Sequence, residues 1–263
     1  MVFRLSPSEY CKLENVYSKL MKFKRITAKW SMRMAGLPKE SIAIVVLAAG
    51  ESSRFGSPKQ LVCWQGRPLL QNIVSLLTQK GLKPYVTLGG NFDEIIQSEN
   101  LDLSGCHIVR VQSWKEGLAY SIKEVMARIR GDFEASEILS GGVLFFLGDQ
   151  PLINERNISA LMNVIQANPN MIVCSQYELG SGVPGLNQTE SGLNVKENAQ
   201  HNIGVPAYLP LRYFDALREL KGDEGAKSII KKNDYIAVIL ENAKLDIDEP
   251  EDLARANDLI KCK

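Results

Sequence analysis

An apolar run that empties directly into a glycine- and cation-bearing loop constrains this chain more than any other stretch. Ile42, Ile44, Val45, Val46 and Leu47 show no polar alternation, the pattern of a strand buried on both faces of a parallel sheet. Ala48, Ala49 and Gly50 then remove side-chain bulk where backbone must approach a ligand, and Gly56 offers a second permissive turn position. Ser52, Ser53, Arg54 and Lys59 complete the loop. Backbone N–H groups in such a turn form an anion nest, and two cations beside it suit a polyphosphate better than a single carboxylate. Five residues separate Gly50 from Gly56, and Ser57 and Pro58 part Gly56 from Lys59. Neither the Walker loop nor the dinucleotide G-x-G-x-x-G has that spacing.

From Ile42 onward strand-like and helix-like segments alternate, which predicts an α/β fold with a sheet wrapped by helices. Strands are expected at 42–48, 84–88, 107–111, 143–147, 171–176 and 236–240. Helices are expected at 69–79, 117–130, 158–166, 213–220, 224–231 and 251–260, the first stopped by Gly81. Residues 180–201 are rich in Gly, Asn, Ser and Gln with little periodicity, and read as a long functional or disordered loop. Residues 41–263 are expected to form one domain. Residues 1–40 carry nine Lys and Arg against Glu9, Glu14 and Glu40 and read as a basic extension, disordered or a short amphipathic helix. Glu9 and Glu14 fit a transit peptide poorly, and a translation start at Met32 or Met34 is the simpler reading.

A net charge of +1 gives no general pull toward nucleic acid, so anion binding must be local. The five cysteines, Cys11, Cys63, Cys106, Cys174 and Cys262, include no C-x-x-C pair. They read as reduced thiols of a cytoplasmic protein, not as a disulfide framework or zinc site. No apolar run approaches the length of a membrane span. His107 and His201, the two histidines, have no Ser or Cys partner in recognisable context, which leaves a nucleophilic triad unsupported.

A second constellation, FFLGDQPLI, places Gly148 and Asp149 directly after a buried strand. In open α/β sheets ligands sit at the carboxyl ends of the strands, which puts Asp149 beside the loop at Gly50–Lys59. A carboxylate facing a polyphosphate is repulsive unless a divalent cation lies between them, so Asp149 is the first choice for a Mg²⁺ ligand; the structural alternative is that it opens a turn before Pro151. Ser121 reads either as a helix cap or as a pocket residue, and Asp223 either as the cap of the helix that follows or as part of an anion site. In the tail, Asp248 and Glu251 have the spacing of a capping box, with Pro250 suited to a first helical turn.

The segment from Leu47 to Leu70 resembles the signature LAAGxSxRxGxxKxL…GxPLL of the nucleotidyltransferases that act on molybdenum cofactor and related small phosphates. The matching residues are Leu47, Ala48, Ala49, Gly50, Ser52, Arg54, Gly56, Lys59, Leu61, Gly66, Pro68, Leu69 and Leu70. The resemblance implies a single-domain, Rossmann-like, mostly parallel three-layer fold that transfers a nucleotide, CMP from CTP for the LAAG form, to the terminal phosphate of a small acceptor such as molybdopterin. It implies that Leu47 to Gly50, Ser52, Ser53 and Gly56 cradle the nucleotide, that Arg54 holds the β and γ phosphates, that Lys59 steadies the α-phosphate, and that Asp149 holds Mg²⁺. Gly89 and Gly90 are then expected to give room for the base, and Gly117 and Ser121 of a W-x-E-G-x-x-x-S-like segment to touch base or ribose. Gln150, Gly204, Pro206, Asp223 and Lys227 are expected on the acceptor side, and Asp246 and Asp248 as second metal ligands. The implied partners are the nucleoside triphosphate, the phosphorylated acceptor, and a molybdoenzyme or its maturation factor; the alternatives are a sugar-phosphate or other cofactor acceptor, or a non-catalytic cofactor chaperone.

Overall fold

A computed structural model describes residues 41–136, 141–177, 203–240 and 244–261. The expected features within residues 1–40, and the loop at 180–201, lie outside the described residues. In chain order the strands are β1 (Ile42–Leu47), β2 (Cys63–Trp64), β3 (Arg67–Pro68), β4 (Tyr85–Leu88), β5 (His107–Arg110), β6 (Gly142–Leu147), β7 (Ile172–Gln176), β8 (Ile203–Pro210) and β9 (Tyr235–Ile239). The α-helices are α1 (Leu69–Gln79), α2 (Phe92–Gln97), α3 (Leu118–Ala135), α4 (Glu155–Ala167), α5 (Phe214–Arg218), α6 (Ala226–Ile230) and α7 (Pro250–Lys261).

Seven strands pair in the order β5-β4-β1-β6-β8-β7-β9, and β2 with β3 makes a separate short hairpin. β1 is parallel to both β4 and β6, and β4 to β5, while β8 runs antiparallel to β6 and β7. All six residues of β1 are buried. Ala43, Val45 and Leu47 pack with the α3 row Ala119, Ile122, Val125, Met126, Ile129 and Phe133. Ile44 and Val46 point the other way and are buried too, so both faces of the strand are covered. The i, i+3, i+4 spacing of the α3 row is what sets that helix on the sheet. α1 and α4 carry buried rows of their own, Leu69, Leu70, Ile73, Val74 and Leu77, and Ile158, Leu161 and Ile165. Lys80 just past α1 reaches Glu155 at the start of α4, 2.7 Å away.

Local chemistry explains most boundaries. Gly81, at φ +71°, follows the end of α1 as a left-handed stop. Asn154 and Asn157 form a reciprocal capping box that starts α4. The capping box expected from Asp248 and Glu251 is not the one present: Asp252 accepts the N–H groups of Asp248 and Glu249 at 3.1 and 3.0 Å. With Pro250 as the first residue of α7, Asp252 is the third helical residue, whose side chain can turn back to those amides, whereas Glu251 cannot. The caps expected from Ser121 and Asp223 are replaced by Gly117 before α3 and Gly225 before α6.

β8 and the short helix α2 are absent from the sequence expectation. The reason for β8 is Pro206, which cannot donate to a ladder. The structure absorbs it in a register shift, with Cys174 opposite Ala207 but Ser175 opposite Gly204, so Val205 and Pro206 bulge out. The Ser175 hydroxyl donates to the Pro206 carbonyl at 2.8 Å.

Candidate active site

The carboxyl ends of β1 and β6 lie side by side, Leu47 opposite Leu147. Gly148 N–H donates to the Leu47 carbonyl at 3.0 Å. A Cβ on Gly148 would stand 2.9 Å from that of Ala48, so the two loops leave the sheet in contact only because this residue is glycine. That close approach brings the Gly50–Lys59 loop and Asp149 together, as the strand pattern predicts.

Gln60 holds the loop in shape. It is buried, and its amide donates to the carbonyls of Ala48 (2.8 Å) and Gly50 (3.1 Å). Ser52, in a left-handed turn at φ +62°, accepts the Lys59 N–H on its hydroxyl at 3.1 Å. Thr87 of β4 accepts the Ala48 N–H at 3.2 Å. The loop backbone is therefore tied at both ends, and the Lys59 side chain projects from a fixed base.

Its ammonium lies 2.5 Å from Asp149 Oδ2, 3.2 Å from Asp248 Oδ1 and 3.3 Å from the Ile247 carbonyl. The segment carrying Asp246 and Asp248 is fastened by the Ile247 N–H to the Asp149 carbonyl at 2.9 Å, and by the buried Ile247 side chain, which packs with Trp64, Leu69 and Ala256. Burial works against the Lys59 charge, but the carboxylates of Asp149 and Asp248 more than offset it and hold the ammonium above its ordinary pKa. Burial pushes the Asp149 carboxyl up, with the neighbouring ammonium working against the shift. Asp246, two residues before Asp248, is pushed up to about 6, chiefly by burial and then by the Asp149 charge, while Gln150 donates to its Oδ1 at 2.9 Å.

A cavity of about 280 Å³ opens above this triad, lined by Leu47, Ala48, Ala49, Gly50, Lys59, Gln60, Trp114, Gly117, Leu118, Ser121, Leu147, Gly148, Asp149 and Asp223. It sits at the lower end of the size of small-molecule sites, about 300–1,000 Å³. Most of the nucleotide-side expectations converge there. Ser52, Ser53, Arg54 and Gly56 do not line it: Ser52 orders the loop from behind, and Arg54 stands exposed. Gly89 and Gly90 do not line it either. A Cβ on Gly89 would lie 2.5 Å from that of Trp114, and one on Gly90 2.8 Å from Glu51 Cα, so these glycines make room for protein, and Trp114 in turn reaches the cavity. Gly117, at φ +106°, lies against the Gly222 carbonyl, where a Cβ would be 2.4 Å away. The Ala119 N–H donates to that same carbonyl at 2.9 Å, fixing the Gly222–Asp223 turn to the start of α3.

The acceptor-side expectations separate. Gln150 is buried beside Asp246 and donates to the Val205 carbonyl at 3.4 Å. The Tyr177 hydroxyl donates to the same carbonyl at 2.5 Å, and a Cβ on Gly204 would sit 2.5 Å from that hydroxyl. Pro206 follows in a cis peptide bond. Lys227 is exposed on α6 and does not line the cavity. Gln60, Leu118 and Leu147 are pocket residues that sequence reasoning did not single out; Gln60 alone had a signal, a polar residue immediately after the loop's lysine.

A family model, the MobA-like NTP transferase domain, matches residues 44–237, which takes in the loop, Asp149 and the Gly222–Asp223 turn. The chain belongs to that family. Among curated relatives, the chain is 31% identical over 149 residues to the bifunctional enzyme IspD/IspF of Novosphingobium aromaticivorans, covering 56% of this chain and 37% of that one. Identity rises to 50% over 50 residues with a molybdenum cofactor guanylyltransferase of Xanthomonas euvesicatoria pv. vesicatoria, covering 19% of this chain and 26% of that one. The matched stretches thus span well under half the length of these relatives. Among solved structures, the Mycobacterium sp. strain JC1 homologue of Mycobacterium tuberculosis Rv0371c is 25% identical with a TM-score of 0.61, over 86% of this chain and all of that one. Rv0371c itself, in complex with manganese, and a CMP:2-keto-3-deoxy-manno-octonic acid synthetase in complex with CTP share the fold. Each has a TM-score of 0.58, at 23% and 15% identity over 82% and 84% of this chain and 97% and 99% of theirs.

Proposed function

We propose that this MobA-like domain is a Mg²⁺-dependent nucleotidyltransferase that moves CMP from CTP to the terminal phosphate of a small acceptor such as molybdopterin, releasing pyrophosphate. The observation that carries the reading is the meeting of Lys59, Asp149 and Asp248 at the rim of a cavity floored by the Ala48–Gly50 backbone. The divalent cation fits these residues: Asp149 Oδ1 is buried with no hydrogen-bond partner, and Asp248 presents a second carboxylate on the same ammonium. Among the described residues no three His, Cys, Asp or Glu side chains make a ready-built metal centre, which suits a cation that takes some of its oxygen ligands from phosphate. When bound, the cation neutralises phosphate charge and draws electrons from the phosphorus under attack.

The chain's own residues do the rest by position and charge. The Ala48–Gly50 backbone and Gln60 define where phosphates lie, and Lys59 offers an ammonium to charge that grows around the α-phosphorus. Trp114, Gly117, Leu118 and Ser121 provide a partly apolar pocket for base and ribose, and Asp223 provides a hydrogen-bond acceptor there. Gln150, Tyr177, Gly204 and Pro206 form the wall on which the acceptor is oriented, so that its phosphate oxygen attacks in line. Support for CTP is the LAAG sequence of the loop and the CTP complex of a fold relative; support for the acceptor is the molybdenum cofactor relative, which matches a short stretch. The test is a matrix of CTP, GTP and ATP against molybdopterin and common sugar phosphates, scored by pyrophosphate. Release with CTP and molybdopterin is expected; release with a sugar phosphate alone redirects the acceptor assignment, and none with any pair favours the carrier reading.

A further inference from the structure

The ammonium of Lys59 occupies the place a metal would be expected to take. Its three oxygen neighbours, two carboxylates and one carbonyl, are the donors a hard divalent cation prefers. The Asp149 side chain is 16% exposed and that of Asp248 55%, so water and salt screen the Lys59–Asp149 contact weakly and the Lys59–Asp248 contact more strongly. Two cations a few Å apart in such a setting repel, and they cannot share Asp149 and Asp248 at contact distance.

We propose that Lys59 is the resident counter-ion of the Asp149–Asp248 pair in the nucleotide-free protein, and that it suppresses divalent-cation binding until a nucleoside triphosphate draws the ammonium away. The proposal rests on the nucleotidyl-transfer reading above. The geometry allows the exchange without remodelling the loop. The main chain of Lys59 is held by Ser52, and its neighbour Gln60 is held by Ala48 and Gly50. What moves is the flexible four-carbon stem, and Lys59 already lines the cavity that contains the Ala48–Gly50 backbone. A triphosphate on that backbone offers the ammonium several anionic oxygens in exchange for two carboxylates. When Lys59 turns to phosphate, Asp149 Oδ2 and Asp248 Oδ1 are released to join Asp149 Oδ1, which is buried and unpartnered in the resting arrangement. Metal and nucleotide then favour each other's binding by the same factor, as linkage requires, and the metal enters with the nucleotide or after it.

Mn²⁺ titration of the nucleotide-free protein, followed by the loss of the free-ion electron paramagnetic resonance signal, tests this without turnover or acceptor. Lys59→Met keeps the stem and removes the charge, and should bind Mn²⁺ at least about tenfold more tightly than wild type, because one like charge at contact distance is removed. Lys59→Gln is the second neutral variant, and melting curves establish that each is folded. Lys59→Arg should stay near wild type. Adding Asp149→Asn to Lys59→Met should abolish the gain. Unchanged or weaker Mn²⁺ binding in both folded neutral variants overturns the proposal, as does a gain that survives Asp149→Asn. Absence of pyrophosphate release in the substrate matrix falls on the transfer reading alone, since no step of the titration depends on it.

Discussion

The two halves of the sheet are built on different terms. On one side, β5, β4, β1 and β6 run parallel, and β1 and β6 end in register, with Ala48 and Gly148 meeting just beyond them. On the other, β8 is antiparallel to both its neighbours and carries a bulge at Val205–Pro206. The parallel half positions its chemistry by backbone: Gly148 against Ala48, Gly117 against Gly222, Gln60 lacing two carbonyls. The antiparallel half positions its chemistry by side chains that reach toward one carbonyl, with Tyr177 and Gln150 both donating to Val205. A phosphate group is common to every nucleotide and is well served by a fixed backbone nest. An acceptor is particular, and side chains can change without changing the fold.

The comparison is broken most directly at Asp149, which belongs to the parallel half but reaches the segment beside the other. Asp149→Asn should reduce turnover by about a hundred- to a thousandfold, the scale for loss of one aligned electrostatic group, with the fold retained. Pyrophosphate release against Mg²⁺ concentration measures it; near-normal rates with unchanged Mg²⁺ dependence would remove Asp149 from the site. Lys59→Met comes next, with a loss of roughly a hundredfold at saturating CTP. Weaker CTP binding with full turnover would make Lys59 a ground-state anchor only.

Two glycine substitutions sharpen the contrast between the halves. Gly117→Ala forces a side chain into a φ of +106° and against the Gly222 carbonyl, at a cost of about 1–3 kcal/mol. It should lower the melting temperature and raise the KM for CTP. Gly204→Ala meets a movable Tyr177 hydroxyl instead, and should raise the KM for acceptor while leaving that for CTP unchanged. If both variants affected both constants alike, the two walls would serve one substrate. The smallest effect is expected from deleting residues 1–33. The described cavity residues all lie from Leu47 onward, so kcat with CTP should match the full chain; a large loss would assign the basic segment a part in catalysis or packing.

Legibility followed the same division. The ends of α1 coincide with the predicted 69–79, and β1, β4, β6, β7 and β9 fall within a residue of expectation, because uninterrupted apolar runs and a flanking glycine act locally. β8 escaped because Pro206 argues against a strand until a bulge at Val205–Pro206 of β8 itself accommodates it. Asp149 was singled out by its place after a strand, and Lys59 by its loop. Their ion pair bridges 90 positions, and no local pattern encodes a contact that depends on two strands ending together.

The amino-acid sequence by itself determined that a buried strand must end in a glycine- and cation-bearing loop, since hydrophobic periodicity and glycine placement are properties of neighbours along the chain. Tertiary structure decided what the loop's residues face. Arg54 was left in solvent, Gly89 was spent on admitting Trp114, and Lys59 was turned toward two carboxylates because the Ile247 segment is fastened beside Asp149. Side-chain direction depends on which backbones pack against each other, and that is settled only when the whole sheet closes.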